Sequence, residues 1–336
     1  MKVTIKDIAR HVHVSKALVS LYLNNHPLSA KISPKTKARI DDAVRELGYR
    51  PSFAARALAK GRTGTIGMII AAIRDPFSYY LVDLAMKEIN ERDAQLLLMV
   101  TNTNEEALVR CLERLLENQV DGVLSTVPLP VDTPQYKELK ERHFPLVSIN
   151  LEQPDFSCVY NDFAPAVEEA VTYIKSLGAE TLHLYSNGNN ATAQLLRKSA
   201  RSHTLKLART LSLVNEADLE DICKSVLKNR PQFLFFTNCR AARVLVNEIH
   251  RAGIDYQPEI FTVYTLPSDI IDDPRIAGAI QYNFKPLVTN GLELLDHLLK
   301  APGKTEREEI ILSTRFLRRD QFGELEPLGR YNYRTS

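Results

Sequence analysis

The 336-residue sequence has no tryptophan and only four cysteines. Any planar platform for a ligand ring must therefore come from Phe or Tyr. Cys111, Cys158, Cys223 and Cys239 lie far apart with no CxxC pair, which excludes a zinc knuckle or a disulfide framework and predicts reduced, mostly buried thiols. No apolar stretch approaches the ~20 residues of a membrane-spanning helix. The opening MKVTIKDIARHV is charged at helical spacing and lacks the apolar core of a secretory signal, so a cytoplasmic location is expected. Also missing are GxGxxG, the GxxxxGK[ST] phosphate loop, GxSxG, HExxH and any Cys/His ligand spacing. His143, His183, His203, His250 and His297 have no visible partner in the sequence and read as surface or core histidines. No metal, cofactor or catalytic residue is expected.

What is present is a globular composition, 44% hydrophobic and 25% charged, long enough for a small domain and a large one. The net charge of +2 hides an uneven division. Residues 1–62 hold 13 Lys and Arg against 4 Asp and Glu, a balance of +9, while the remaining 274 carry 30 against 37, a balance of −7. A basic module thus precedes a mildly acidic body, which points to an anionic partner for the module alone. A merely solvated lysine-rich face is the alternative that charge cannot exclude.

Pattern separates the two. Thr4 with Asp7 three residues on has capping-box spacing, and Ile5, Ile8, Ala9 and Val12 share one helical face. After a break near His13, Ser15 is placed to cap a second helix carrying Leu18, Val19, Tyr22 and Leu23 and ending at Asn24-Asn25. A polar loop leads to Ser33-Pro34, an N-cap followed by proline at the first helical position. The stripe Ile40, Ala43, Val44 and Leu47 then runs to Gly48. Three short helices with a tight first turn and a strongly basic balance fit a helix-turn-helix that lays its second helix in the major groove of double-stranded DNA. Ser52 to Gly61 reads as two further helical turns, too short to be stable alone and expected to order when bound.

From Thr65 the pattern becomes strand-helix alternation. Strands are expected at 65–72, 95–101, 122–126 and 145–149, then at 181–185, 207–214, 233–237 and 260–264. Helices are expected at 79–92, 105–118, 164–177, 219–229, 240–252 and 284–300. Two similar α/β halves follow one another.

The ordered run Thr4-Ile5-Lys6-Asp7-Ile8-Ala9, Val14-Ser15, Val19-Ser20, Leu23-Asn24, Glu46-Leu47-Gly48-Tyr49-Arg50-Pro51 and Ala55-Arg56-Ala57-Leu58 resembles the lactose-repressor (LacI/GalR) family. The resemblance continues through Asp75-Pro76-Phe77, Asp121-Gly122-Val123 and Val159-Tyr160-Asn161-Asp162. It implies an all-α helix-turn-helix headpiece at 1–50, a hinge helix at 51–62, and an α/β bilobal periplasmic-binding-protein-like body at 63–330. The body would comprise two Rossmann-like parallel-sheet subdomains, the first about 63–160 and 284–312, the second about 161–283 and 313–330. By the same resemblance Thr4, Ser15, Ser20 and Asn24 grip phosphates, with Ser33 added to the DNA-binding set. Lys16, Ala17 and Leu21 face base edges, and Leu58 wedges into the minor groove as hinge helices pair across a homodimer. Phe77, Tyr79, Asn150, Arg197 and Asn238 would line an effector cleft.

The departures are informative. Val12-His13 stands where the family has Ala-Gly, and Leu21 replaces a common arginine, leaving Lys16 to approach guanine and Leu21 to offer apolar contact. Asn238-Cys239 replaces Asn-Asp, Val263-Tyr264-Thr265 replaces a Gly-aromatic-Asp, and Ala200-Arg201 replaces a Gly-aromatic pair. Two sugar-binding carboxylates are thereby lost, so a sugar, a sugar phosphate or other anion, or a protein corepressor all stay open as partners. Phe322 to Ser336 has no leucine heptad, so a dimer rather than a tetramer is expected. The reading is a DNA-binding transcriptional regulator, a repressor of carbohydrate-related genes switched by a small effector. The alternatives are a constitutive regulator with a degenerate cleft and, more distantly, a Rossmann-like enzyme.

Overall fold

The computed structural model describes residues 3–24, 26–49, 61–73, 76–186, 190–212, 216–264, 272–301, 303 and 306–324. The expected hinge helix with Leu58, Asp75, Thr265 and the tail beyond 324 lie outside the described residues.

The first unit is built from α1 (Ile5–Val12), α2 (Lys16–Leu23) and α3 (Pro34–Glu46). Each start is fixed locally. Thr4 donates through both its backbone N–H (3.0 Å) and its hydroxyl (2.7 Å) to Asp7 Oδ2, while the Ser15 and Ser33 hydroxyl oxygens accept from the amides of Leu18 and Thr36. The polar loop expected between α2 and α3 contains a 3-10 turn, Pro27–Lys31, begun when His26 Nδ1 accepts from Leu28 N. Ile8, Ala9, Val12, Val19, Ile40, Ala43 and Tyr49 form the core.

His13 ends α1 at φ 56°, ψ 48°, the left-handed conformation that glycine supplies without steric penalty. His13→Gly is expected to raise the headpiece melting free energy by up to about 1 kcal/mol, the relieved strain less the extra entropy of an unfolded glycine. Thermal circular dichroism of residues 1–60 checks this, and a lower melting temperature would show that the histidine side chain compensates its own strain.

The body has two six-stranded sheets. The first has the order β11-β5-β4-β3-β1-β2, from β1 (Thr65–Ile70), β2 (Gln95–Val100), β3 (Gly122–Ser125), β4 (Leu146–Ile149), β5 (Ser157–Asp162) and β11 (Glu309–Ser313). The second has the order β12-β10-β9-β8-β6-β7, from β6 (Thr181–Ser186), β7 (Lys206–Ser212), β8 (Phe233–Phe236), β9 (Glu259–Tyr264), β10 (Ile276–Gln281) and β12 (Arg315–Arg318). All pairings are parallel except β10 with β12. Helices α4 (Pro76–Glu91), α5 (Glu105–Glu117) and α6 (Pro134–Glu141) connect strands of the first sheet. Helices α8 (Ala191–Ser202), α9 (Glu216–Asn229) and α10 (Cys239–Ala252) connect strands of the second. α7 (Ala164–Ser176) carries the chain from the first sheet to the second, and α11 (Phe284–Lys300) returns it to the first core, where its Leu287, Val288 and Leu292 pack with α4 and β4.

Four strands, β5, β10, β11 and β12, and two helices, α6 and α8, go beyond the sequence expectation. β10 (IAGAIQ) is wholly buried yet rich in Ala and Gly, β11 alternates as an exposed edge strand, and α6 buries only Tyr136 and Leu139. Each presents too little apolar contrast to register as a periodic segment. The cysteines are free and buried, as expected, and burial pushes the Cys223 thiol up to about 11.

Candidate DNA-binding face and interlobe site

At 100° per residue, Lys16, Ala17, Ser20, Leu21 and Asn24 occupy an arc of about 140° on α2, and Leu18, Val19, Tyr22 and Leu23 occupy the other side. The structure follows this division. Val19 is fully buried, Leu18, Tyr22 and Leu23 pack against the core, and Lys16 and Ala17 are exposed. Asn24 Nδ2 donates to Ser20 Oγ at 3.2 Å, so the two are pre-aligned on the outer face. α2 carries no acidic residue.

Around this face the polar groups differ in what they can still offer. Thr4 spends its hydroxyl proton on Asp7, and this hydrogen bond, followed by that of the Thr4 amide, holds the Asp7 carboxyl below the usual carboxylate range. Ser15 accepts at its oxygen from the Leu18 amide, a bond that does not use its hydroxyl proton. Ser33 Oγ and Thr36 Oγ1, 2.9 Å apart, share one hydrogen bond, so one hydroxyl proton of the pair remains. Two residues not singled out from sequence fix the frame. Arg39 donates to the carbonyl of Val12 at 2.6 Å, locking α3 to the tight turn, and Asp41 accepts from the Tyr22 hydroxyl at 2.8 Å, tying α2 to α3. That hydrogen bond raises the Tyr22 phenol above its ordinary value. Neither contact is readable from local pattern, because each spans about 20 residues or more.

In the body the expected effector residues fall into separate groups. Phe77 and Asn150 come together on Tyr282. The Phe77 ring meets Tyr282 edge-on at 5.5 Å, and Asn150 Nδ2 lies 3.4 Å from the Tyr282 hydroxyl. Phe163, at the start of α7, meets the same tyrosine at 4.9 Å, so Tyr282 packs against both cores of the body. Asn150 is held at φ 63°, and its Oδ1 accepts from Asn161 Nδ2, whose own Oδ1 accepts from Asn283 Nδ2 at 2.9 Å. Asn283 also donates to the Ser313 carbonyl. This chain of amides joins the ends of β4, β5, β10 and β11, where the polypeptide crosses between lobes.

Asn238 caps α10 by accepting from the Arg240 amide, beside Thr237, whose hydroxyl accepts from Asn190 at the start of α8. Arg197 lies two turns along α8, on a face with Gln194, Lys198, Arg201 and Ser202 that borders an open depression of about 600 Å3. Tyr79 stands apart from both groups: it is 38% exposed and its ring rests against Tyr80 at 4.6 Å. Cys239, in the second lobe, is buried within the core of the first. Tyr282, Asn161 and Asn283 were not expected as site residues, although Asn161 stood within a quoted motif. Among the described residues no group of His, Cys, Asp and Glu could hold a metal ion, and no helix is long and apolar enough to cross a membrane.

Residues 4–52 match bacterial regulatory proteins of the lacI family, and residues 63–213 match the periplasmic binding proteins and sugar-binding domain of the same family. The chain belongs to the lacI family. Among curated proteins it is 28% identical to the catabolite repressor/activator of Escherichia coli over 178 residues, 52% of this chain and 53% of that one. It thus spans about half the length of the catabolite repressor/activator proteins it matches. It is 26% identical to catabolite control protein A of Staphylococcus epidermidis over 297 residues, covering 84% of this chain and 88% of that one. The solved lac repressor dimer bound to operator and the anti-inducer ONPF superposes with a TM-score of 0.78 at 17% identity, over 95% of this chain and 98% of that one. That likeness establishes the shared lacI-family fold: a helical unit followed by a two-lobed α/β body.

Proposed function

We propose that this lacI-family chain is a sequence-specific transcriptional regulator, a repressor of carbohydrate-related genes, binding operator DNA as a homodimer and switched by a small effector between its lobes. The observation that carries this reading is α2, an acid-free helix whose Lys16, Ala17, Ser20, Leu21 and Asn24 face outward while its other side closes the core of a module with a +9 balance. Residues 1–50 form the DNA-binding unit, 51–62 the hinge with Leu58, and 63–330 the effector-binding and dimerising body. Thr4, Ser15 and Ser33 position the module on phosphates through three helix N-termini. The named relatives are a catabolite repressor/activator, a catabolite control protein and a lac repressor, which supports a regulatory rather than enzymatic role, in the cytoplasm.

Phe77, Asn150, Arg197 and Asn238 bind the effector, with Tyr79 at the margin. The proximity of Lys198 and Arg201 to Arg197 favours a sugar phosphate over a neutral sugar. A constitutive regulator is the second reading, favoured by Cys239, which lies buried against the first lobe where the family carries a carboxylate.

Fluorescence anisotropy with the full chain and a duplex enriched by it from a random pool tests the first part. Binding should weaken with salt at a log-log slope near −0.9 per neutralised phosphate, and a chain lacking residues 1–62 should lose it while its body stays folded. Operator affinity kept in that truncation would overturn the assignment. A thermal-shift screen of sugars and sugar phosphates tests the second part, since a ligand at 100 times its Kd adds about 2.7 kcal/mol. Arg197→Ala should abolish any such shift and leave DNA affinity unchanged.

A further inference from the structure

Immediately after the hinge, the chain is tied to the first lobe by one carboxylate. Asp121 Oδ1 accepts from the Thr63 amide at 2.7 Å, and Oδ2 accepts from the Gly64 amide at 2.7 Å. Thr63 Oγ1 stands 3.0 Å from both Asp121 Oδ1 and the Gln119 carbonyl, and it accepts from the Thr65 amide. Two successive amides can converge on one carboxylate because Gly64 sits at φ +69°, left-handed backbone that other residues adopt only with strain. On its other side Asp121 donates its own amide to the Thr65 carbonyl, closing the loop between the starts of β1 and β3.

The clip is seated on rigid structure. Arg62 donates to the carbonyl of Leu299 near the end of α11. A Cβ on Gly122, next to Asp121, would stand 2.8 Å from Leu295 and 3.1 Å from the Pro145 carbonyl, so α11 and β4 press directly on the start of β3. Arg92, paired with Glu88 on α4 and with Asp296 on α11, borders the same cavity of about 840 Å3 as Arg62, Thr63, Gly64 and Asp121. Within two or three residues of Gly61, the chain's direction is therefore set by β1, β3 and α11 together. A charged hydrogen-bond acceptor is stronger than a neutral one, and a carboxylate presents two oxygens to two donors, where an amide would present one oxygen and a repelling N–H pair.

We propose that Asp121 is a positioning residue for operator recognition: by fixing where the chain leaves the first lobe, it delivers any rotation of that lobe to the hinge without slack. This inference rests on the DNA-binding reading above. It separates sequence-specific binding, which needs the two headpieces at a set spacing, from non-specific binding, which needs only their charge.

The test uses full-length chains with the wild-type-enriched duplex and a scrambled duplex of equal length, alongside the body's thermal unfolding. Asp121→Asn should weaken binding to the enriched duplex about tenfold or more, the equivalent of one charged hydrogen bond, and leave the scrambled duplex within about twofold. Asp121→Glu should recover part of the loss. Two glycines inserted between Gly61 and Arg62 should give a similar loss with the clip intact. They should add little when combined with Asp121→Asn, because both changes remove the same constraint. Should Asp121→Asn fail to fold, Thr63→Val and the glycine insertion carry the test. Unchanged preference for the enriched duplex in the folded variants, or equal loss on both duplexes, would overturn the proposal. A wild-type chain that enriches no sequence would instead overturn the DNA-binding reading on which it stands.

Discussion

An Ile40→Ala chain is expected to lose operator affinity by about 10- to 100-fold at 37 °C while its body unfolds at the wild-type temperature. Ile40 is fully buried, as are Ile8 and Val19, in a core that draws only on residues between Val3 and Tyr49. Removing a buried isoleucine side chain to the β-carbon costs about 2–5 kcal/mol, and a unit of about 50 residues has only about 2.5–7.5 kcal/mol in total. The substitution therefore removes most of the headpiece's stability and little else. Affinity then falls with the fraction of headpieces folded, and for a dimer with the product of two such fractions. Anisotropy at 15 °C and 37 °C checks this, since the deficit should grow on warming as the unfolded fraction rises. A deficit that is constant with temperature, or a body that melts early, would contradict the separation of the two cores.

Arg275→Met should lower the stability of the body by about 3–5 kcal/mol, read as a shift in the urea unfolding midpoint with unchanged slope. The Arg275 and Asp273 side chains are 7% and 5% exposed and meet at 2.9 Å, while Arg275 Nε donates to the Tyr256 carbonyl at 3.0 Å. Losing the guanidinium leaves the Asp273 carboxylate buried, its remaining neighbours being the Arg275 backbone amide, which donates to Oδ1 at 2.9 Å, and His250 at 3.2 Å. The double change Asp273→Leu with Arg275→Met should be milder than the single one, because no charge is then stranded. A single-variant loss under 1 kcal/mol would mean that water or His250 compensates the carboxylate. Non-specific DNA binding should not change in either variant.

The headpiece was readable from sequence because its determinants are local. Capping hydroxyls at Ser15 and Ser33, the carboxyl at Asp7 and apolar residues three and four apart act within one or two turns, and the order of motifs from Thr4 to Leu58 tied them to one family. The strongly apolar strands of the body and most of its helices were equally visible. Two kinds of information were not. Weak segments such as β10 and β12 become strands only because neighbours bury or pair them. The contacts that hold the three helices together, Arg39 on Val12 and Asp41 on Tyr22, join residues 27 and 19 apart.

The interlobe site is the clearest case. The resemblance supplied Phe77, Tyr79, Asn150, Arg197 and Asn238 as one set, but the structure gathers Phe77 and Asn150 around Tyr282 with Asn161 and Asn283. It places Asn238 beside Asn190 and Thr237, and turns Tyr79 outward. Sequence by itself determined the family, the helix-turn-helix and the two-lobed plan, because these follow from propensity, periodicity and motif order along the chain. Only the tertiary structure decided which amides and aromatic rings meet where the lobes join and which carboxylate accepts from the Thr63 and Gly64 amides. Residues such as Asn150 and Tyr282, or Thr63 and Asp121, are 132 and 58 positions apart and become neighbours only when the sheets close.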